Sequence, residues 1–277
     1  MNYAFNSLNN LDPLYIQIFT LFMMIEYQNV TISYWKWVVI KNLTAKIDGK
    51  VFIIGKNGSG KTTLIKATVG LLPYKGSIRI DGKEVREIKN YLGLSTNLGE
   101  VYNLGYGINN ILDIYSEEMN VDKGLFSELL KEVDLDIDLK SPLFKLSTGQ
   151  SLLLRNILAF SAKPRIILLD EPFENIDPAR RSIVAEWIKK FGKEGIITTH
   201  NLDILSKFPD YKLYVLSDSS LYGPITVKDF LEASVIEGES EDAILILRVS
   251  GKKVSLVKGK EGMKIGLLGT IDRLYGV

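Results

Sequence analysis

From Glu26 onward, apolar and polar side chains alternate through Val30, Ile32 and Tyr34, the two-residue period of a strand with one buried face. Trp37 to Ile40 and Leu43 to Ile47 continue in the same style, and Asp48-Gly49 supplies a turn. Val51 to Ile54 is a short apolar strand running into a glycine-rich loop, and Thr62 to Leu72 reads as the helix after it. Ser77 to Ile80, the Asp81-Gly82 turn and the residues from Glu84 suggest a strand pair, followed by a strand over Tyr91 to Leu94. Between Val101 and Asp138 the spacing becomes helical, around Ile108 to Tyr115 and Lys123 to Val133. A further helix should begin after Ser147 and run to about Ala162. Strand Ile166 to Leu169, helix Pro178 to Phe191, strand Ile196 to Thr199 and a strand near Tyr211 to Leu216 complete the alternation. Strands alternating with helices imply an α/β chain with a mostly parallel sheet covered on its faces. Beyond Gly223 the pattern changes to a short helix at Val227 to Ala233, an acidic link Glu237 to Asp242, and a hairpin. The hairpin runs from Ala243 to Ser250, turns at Gly251 and returns over Val254 to Lys258.

The one long apolar stretch, Leu14 to Ile25, is interrupted by Gln17 and Thr20 and is shorter than the roughly 20 residues that span a bilayer. Residues 1 to 13 carry no Lys or Arg, unlike the start of a signal peptide. Residues 1–24 therefore read as an extension, poorly ordered or loosely docked, before a domain that begins near residue 25; a start codon wrongly assigned upstream and a membrane-surface helix are the other readings. Across 277 residues, 34 Lys plus Arg balance 33 Asp plus Glu, which leaves no broad positive field for a nucleic-acid backbone. No nucleic-acid partner is expected. The absence of cysteine excludes disulfides and thiolate-bound metal clusters.

The chemistry begins at Gly55-Lys56-Asn57-Gly58-Ser59-Gly60-Lys61-Thr62, between a predicted strand and a predicted helix. Glycines let backbone amides close around phosphates, and the helix N-terminus adds unpaired N–H groups and its positive dipole end. Lys61 can reach the outer phosphates, and Thr62 can hold magnesium through its hydroxyl, with Thr63 beside it. Ile166 to Leu169 ends in Asp170-Glu171-Pro172, which places two carboxylates at the carboxyl edge of the sheet, where ligands of such sheets sit. Alone, that tripeptide would read as an acidic helix cap; beside a phosphate loop, Asp170 reads as a magnesium ligand and Glu171 as a general base. His200, the only histidine, follows strand Ile196 to Thr199 and should emerge on the same edge, where it could bond a terminal phosphate.

Leu146-Ser147-Thr148-Gly149-Gln150 resembles the Leu-Ser-Gly-Gly-Gln signature of ATP-binding cassette (ABC) proteins, with one substitution. Taken alone, it could be no more than a Ser/Thr helix cap. Its placement is family-like: 19 residues separate Gln150 from Asp170, and Asp177 and His200 follow in order. The resemblance covers about residues 26 to 224. It implies a phosphate-loop NTPase of ABC nucleotide-binding type, with an antiparallel β subdomain, a helical subdomain over about 98–162 and a small C-terminal β-containing appendage over 225–277. It further implies magnesium-dependent ATP hydrolysis and a head-to-tail homodimer or heterodimer, in which Ser147 and Gly149 serve the partner's nucleotide and Asp177 links the two sites. Tyr34 aligns best with the aromatic that stacks on adenine, with Trp35 and Trp37 as competitors.

The resemblance also implies a glutamine touching magnesium and the attacking water. The sequence at that place is Leu94-Ser95-Thr96-Asn97-Leu98, so Asn97 is the candidate, with the same amide on a stem shorter by one methylene. Its contact is expected to be looser or water-mediated. The helix after the signature carries Ser151-Leu152-Leu153-Leu154 before Arg155, where the family often has basic residues. The expected function is the ATP-hydrolysing subunit of an ABC transporter, cytoplasmic and peripheral on the inner face of the membrane, driving a separate permease. The alternative is a soluble ABC-type ATPase that acts as a regulatory or assembly switch.

Overall fold

The computed structural model describes residues 24–89, 91–102, 107–259 and 263–276. The readings of residues 1–23 lie outside the described residues.

Three sheets organise the described residues. The first is antiparallel, in the order β2-β1-β4-β5, from β1 (Ile25–Tyr34), β2 (Trp37–Ile47), β4 (Lys75–Ile80) and β5 (Lys83–Glu84). The second contains β3 (Lys50–Ile54), β6 (Leu94–Thr96), β7 (Ile166–Leu169), β8 (Glu194–Thr199), β9 (Lys212–Ser217) and β10 (Ser220–Thr226), in the order β10-β9-β3-β8-β7-β6. Every pairing in it is parallel except that of β10 with β9. The third, in the order β12-β13-β11-β14, is antiparallel and joins β11 (Ser234–Glu237), β12 (Ala243–Val249), β13 (Lys252–Val257) and β14 (Met263–Lys264).

β3, β7 and β8 have apolar or small side chains over most of their length because both faces of a parallel sheet are covered. Alternation along them divides the interior. Val51, Ile53, Ile166, Leu168 and Ile196 face a core shared with helix α1 (Lys61–Thr68) and the first sheet. Phe52, Ile54, Ile167, Leu169 and Ile197 face the larger core. That core takes in α2 (Gly99–Tyr102), α3 (Ile108–Glu118), α4 (Lys123–Glu132), α5 (Thr148–Ser161), α6 (Pro178–Lys190), α7 (Val227–Glu232) and the third sheet. Leu152, Leu153 and Leu154 are all buried, so the apolar start of α5 is used up inside its own chain.

Several elements depart from their sequence reading for identifiable reasons. The two runs in Trp37 to Ile47 form one strand, with Asn42 at φ 49° and its N–H bonded to Thr31 Oγ1 at 3.0 Å. Helix α1 ends at Thr68 rather than Leu72. Leu71 N bonds Lys66 O and Gly70 N bonds Ala67 O, a Schellman ending built on Gly70. β6 covers Leu94–Thr96 instead of Tyr91 to Leu94, because the backbone turns just before it, with Leu94 N bonded to Tyr91 O at 3.4 Å.

Candidate nucleotide site

The parallel register sets the site. Ile54 lies opposite Thr199, Leu169 opposite Ile197 and Thr96 opposite Leu168, so β3, β6, β7 and β8 end along one edge. The residues that follow them are Gly55, Asn97, Asp170 and His200. A cleft of about 470 Å³ opens there, lined by Lys61, Thr62, Asp170 and Glu171 on one wall and by Thr148 and Arg155 of α5 on another.

The phosphate loop turns into α1 through Gly60, whose φ of 106° disfavours any residue with a Cβ. A Cβ there would also lie 2.7 Å from Val39 Cγ1. The first intrahelical bond runs from Leu64 N to Gly60 O, which leaves the preceding amides as natural anion ligands. No acidic residue stands in the first turn.

Lys61 is buried, with its ammonium donating to Gly55 O at 2.7 Å and Lys56 O at 3.2 Å and lying 3.0 Å from Glu171 Oε1. Glu171 Oε2 accepts from His200 N at 3.2 Å. His200 Nδ1 lies 3.1 Å from the same oxygen, within ion-pair range but outside hydrogen-bond geometry. The Glu171 backbone has φ 43°, a left-handed conformation that costs a non-glycine residue about 1 kcal/mol or more. Glu171 Oε1 and His200 Nδ1 are buried with these ion-pair contacts but no hydrogen bond of good geometry, and Ser59 Oγ is buried without a hydrogen-bond partner; polar atoms left in this state suit a place where a ligand completes the bonding.

Asp170 is held on both oxygens: Thr62 Oγ1 donates to Oδ2 at 2.6 Å and Thr198 Oγ1 to Oδ1 at 2.7 Å. Thr198 Oγ1 also accepts from Glu171 N at 3.1 Å. Hydroxyl and carboxylate oxygens suit magnesium, which takes few protein ligands and completes its shell with water and phosphate oxygens. The described residues hold no cluster of three or more His, Cys, Asp or Glu that would bind a metal unaided. Thr62 and Asp170 therefore fit magnesium brought with a nucleotide.

Asn97 lines the cleft, but its amide is committed to protein. Oδ1 accepts from Asp170 N at 2.8 Å, while Nδ2 donates to Asp170 O at 3.1 Å and to Asn156 Oδ1 at 2.9 Å. The residue is 1% exposed. Through these bonds the Asn97 amide ties the end of β7 to α5, an arrangement the expectation of a metal contact did not include. Arg155 Nη1 donates to Asn97 O at 2.7 Å, and burial pushes that guanidinium's pKa down.

Asn57, Gly58, Gly60, Lys61, Thr62 and Thr63 share the cleft with Asp170 and Glu171. Tyr34 stands 42% exposed, and Trp35 and Trp37 at the same turn are more exposed still, so none of the three is a core residue. In the signature, Ser147 and Gln150 form a reciprocal cap on α5: Ser147 Oγ accepts from Gln150 N at 3.3 Å, and Gln150 Oε1 accepts from Ser147 N at 3.0 Å. Leu146 packs against the larger core. Gly149 lies against the loop before α6, where a Cβ would meet Asn175 O at 2.3 Å. Asp177 caps α6 through Arg180 N at 3.1 Å. Sequence reasoning missed Thr198, Asn156 and Arg155; a threonine inside a β-rich apolar strand gives no signal of its own.

The family model for ABC transporters matches residues 40–174. An ABC transporter ATP-binding protein of Pyrococcus furiosus is 29% identical over 272 residues, covering 88% of this chain and 99% of the relative. An energy-coupling factor transporter ATP-binding protein of Thermotoga maritima is 31% identical over 208 residues, covering 70% and 78% respectively. The chain belongs to the ABC transporter ATP-binding family. A solved structure described as a cobalt transport ATP-binding protein superposes with a TM-score of 0.86 at 48% identity, covering 91% of this chain and 99% of that one. The ABC assignment makes the chain an ATP-binding subunit of a transporter, in a family of ATPases. The transport names of these relatives favour this reading over the regulatory switch. No helix among the described residues is long and apolar enough to cross a membrane.

Proposed function

We propose that this ABC subunit hydrolyses Mg–ATP in the cleft at the carboxyl edge of the parallel sheet, as half of a head-to-tail dimer on the inner face of the membrane. The carrying observation is Glu171 on the cleft wall beside Asp170, with Oε1 held 3.0 Å from the Lys61 ammonium and Oε2 accepting from the His200 backbone. Thr62 and Asp170 would hold magnesium, which when bound neutralises charge on the outer phosphates. The phosphate-loop amides and Lys61 bind the phosphates, which requires the Lys61 ammonium to leave Gly55 O and Glu171. That release frees Glu171 to accept a proton from water, and His200 would bond the terminal phosphate. Asn97 takes a supporting role by fixing the backbone of Asp170. Ser147, Thr148 and Gly149 serve the second subunit's nucleotide, Asp177 joins the two sites, and Tyr34 stacks on adenine.

The 48% identity to a cobalt transport ATP-binding protein supports a metal-ion permease as the membrane partner. Glu171→Gln should retain ATP affinity, lose hydrolysis by about a hundredfold or more and accumulate as an ATP-bound dimer. Phosphate release and size-exclusion chromatography with ATP read both effects; turnover equal to wild type would remove Glu171 as the base. Purification from detergent-solubilised membranes should recover a stoichiometric membrane protein.

A further inference from the structure

The segment 268–272 runs back onto the nucleotide-facing edge. Ile271 N donates to His200 O at 3.0 Å, Leu202 N donates to Gly269 O at 2.8 Å, and Asn201 and Thr270 form an antiparallel bridge. The segment is fixed from beneath by Ile265, Leu268, Ile271 and Leu274, all buried in the larger core. From this anchored position Asp272 reaches the phosphate loop, where its Oδ1 accepts from Asn57 N at 3.2 Å. Asn57 is separated from Asp272 by 215 positions and itself lines the cleft.

We infer that Asp272 is a positioning residue for the ATP site, fixing the mouth of the phosphate loop relative to His200. The inference rests on the reading of the cleft as an ATP site. The loop needs such a fixture. Gly58 and Gly60 have φ of 79° and 106°, and glycines give a loop many conformations that must be lost when it closes around phosphates. A carboxylate is a strong acceptor for a backbone amide, and successive loop amides create the positive concavity that attracts one. Because the segment bonds the backbone on both sides of Asn201 while Asp272 holds Asn57 N, it keeps the phosphate loop and the His200 loop at a set separation. The cost of ordering the loop is then met on folding rather than on nucleotide binding, which strengthens binding without adding a contact to the ligand.

The test uses the full chain, with KM and kcat for Mg–ATP measured on wild type, Asp272→Ala and Asp272→Asn beside their thermal unfolding midpoints. Asp272→Ala should raise KM about tenfold with kcat changed by no more than about twofold. Asp272→Asn, which keeps an acceptor oxygen, should return KM most of the way to wild type, and neither midpoint should move. A KM for Asp272→Ala within about twofold of wild type overturns the inference. So does an asparagine variant as impaired as the alanine one, or a KM change that tracks a lowered midpoint. A wild-type chain that binds no ATP would instead overturn the functional reading, and this inference with it.

Discussion

At the residue scale, the site depends on a few side chains that touch each other more than they face the cleft. Thr198 is one: a single hydroxyl donates to Asp170 and accepts from the Glu171 amide, so it orients both carboxyl-bearing residues at once. Thr198→Val keeps the shape and removes both bonds. ATP turnover should fall about tenfold with ATP affinity nearly unchanged, because about 1–1.5 kcal/mol of positioning is lost while the phosphate contacts remain; steady-state kinetics with a binding titration separates the two. The glycine loop, the acidic pair and His200 were legible in the sequence because each follows an apolar strand, and strand ends in a parallel sheet converge by topology. The task of Asn97 was not legible. Its bonds go to Asn156 and Asp170, 59 and 73 positions away, and no local pattern encodes a partner at that distance.

At the element scale, most strands and helices follow from periodicity, and the misses have local causes. β10 and β11 receive no assignment from the pattern, because Gly223-Pro224 interrupts the one and the other is only four residues long. The signature is a cap as well as a motif, so Ser147→Ala should destabilise the chain by about 1 kcal/mol in chemical denaturation, apart from any effect on hydrolysis. In the first sheet, Glu84 accepts from Ser77 Oγ at 2.5 Å and from Tyr74 Oη at 2.7 Å. Burial alone would raise the pKa of this carboxyl, but the bonds from Ser77, Tyr74 and Arg86 outweigh it and leave the value below the ordinary 4.5. A depressed folded value contributes stability that is complete above the unfolded pKa and disappears as pH falls through the folded one. Glu84→Gln should therefore be less stable than wild type at neutral pH and lose less on acidification, as read from urea midpoints at pH 7 and about pH 4.

At the scale of the whole molecule, the third sheet has no interior of its own. Leu247, Val249, Val254 and Leu256 belong to the same cluster as the helices and one face of the parallel sheet. Leu256→Ala should cost about 2–5 kcal/mol and lower one shared unfolding transition rather than release a separate unit. Fluorescence and far-ultraviolet circular dichroism should therefore report the same midpoint. The shared core also gives residues 268–272 a rigid base from which to reach His200 and Asn57. Hydrophobic patterning announced the hairpin of β12 and β13, yet nothing in the pattern said that the chain beyond it would return to the phosphate loop.

The contact between Gly149 and the Asn175 carbonyl bears on how this sequence can drift over generations. Position 148 is exposed and lines the cleft, so it can carry threonine in place of the family's usual glycine. Position 149 has no such freedom, because even a methyl group would strike Asn175 O. Inherited variation in the five-residue signature should therefore collect at its open side and spare the wedge, with descendants of this gene keeping glycine at 149 whatever they place at 148.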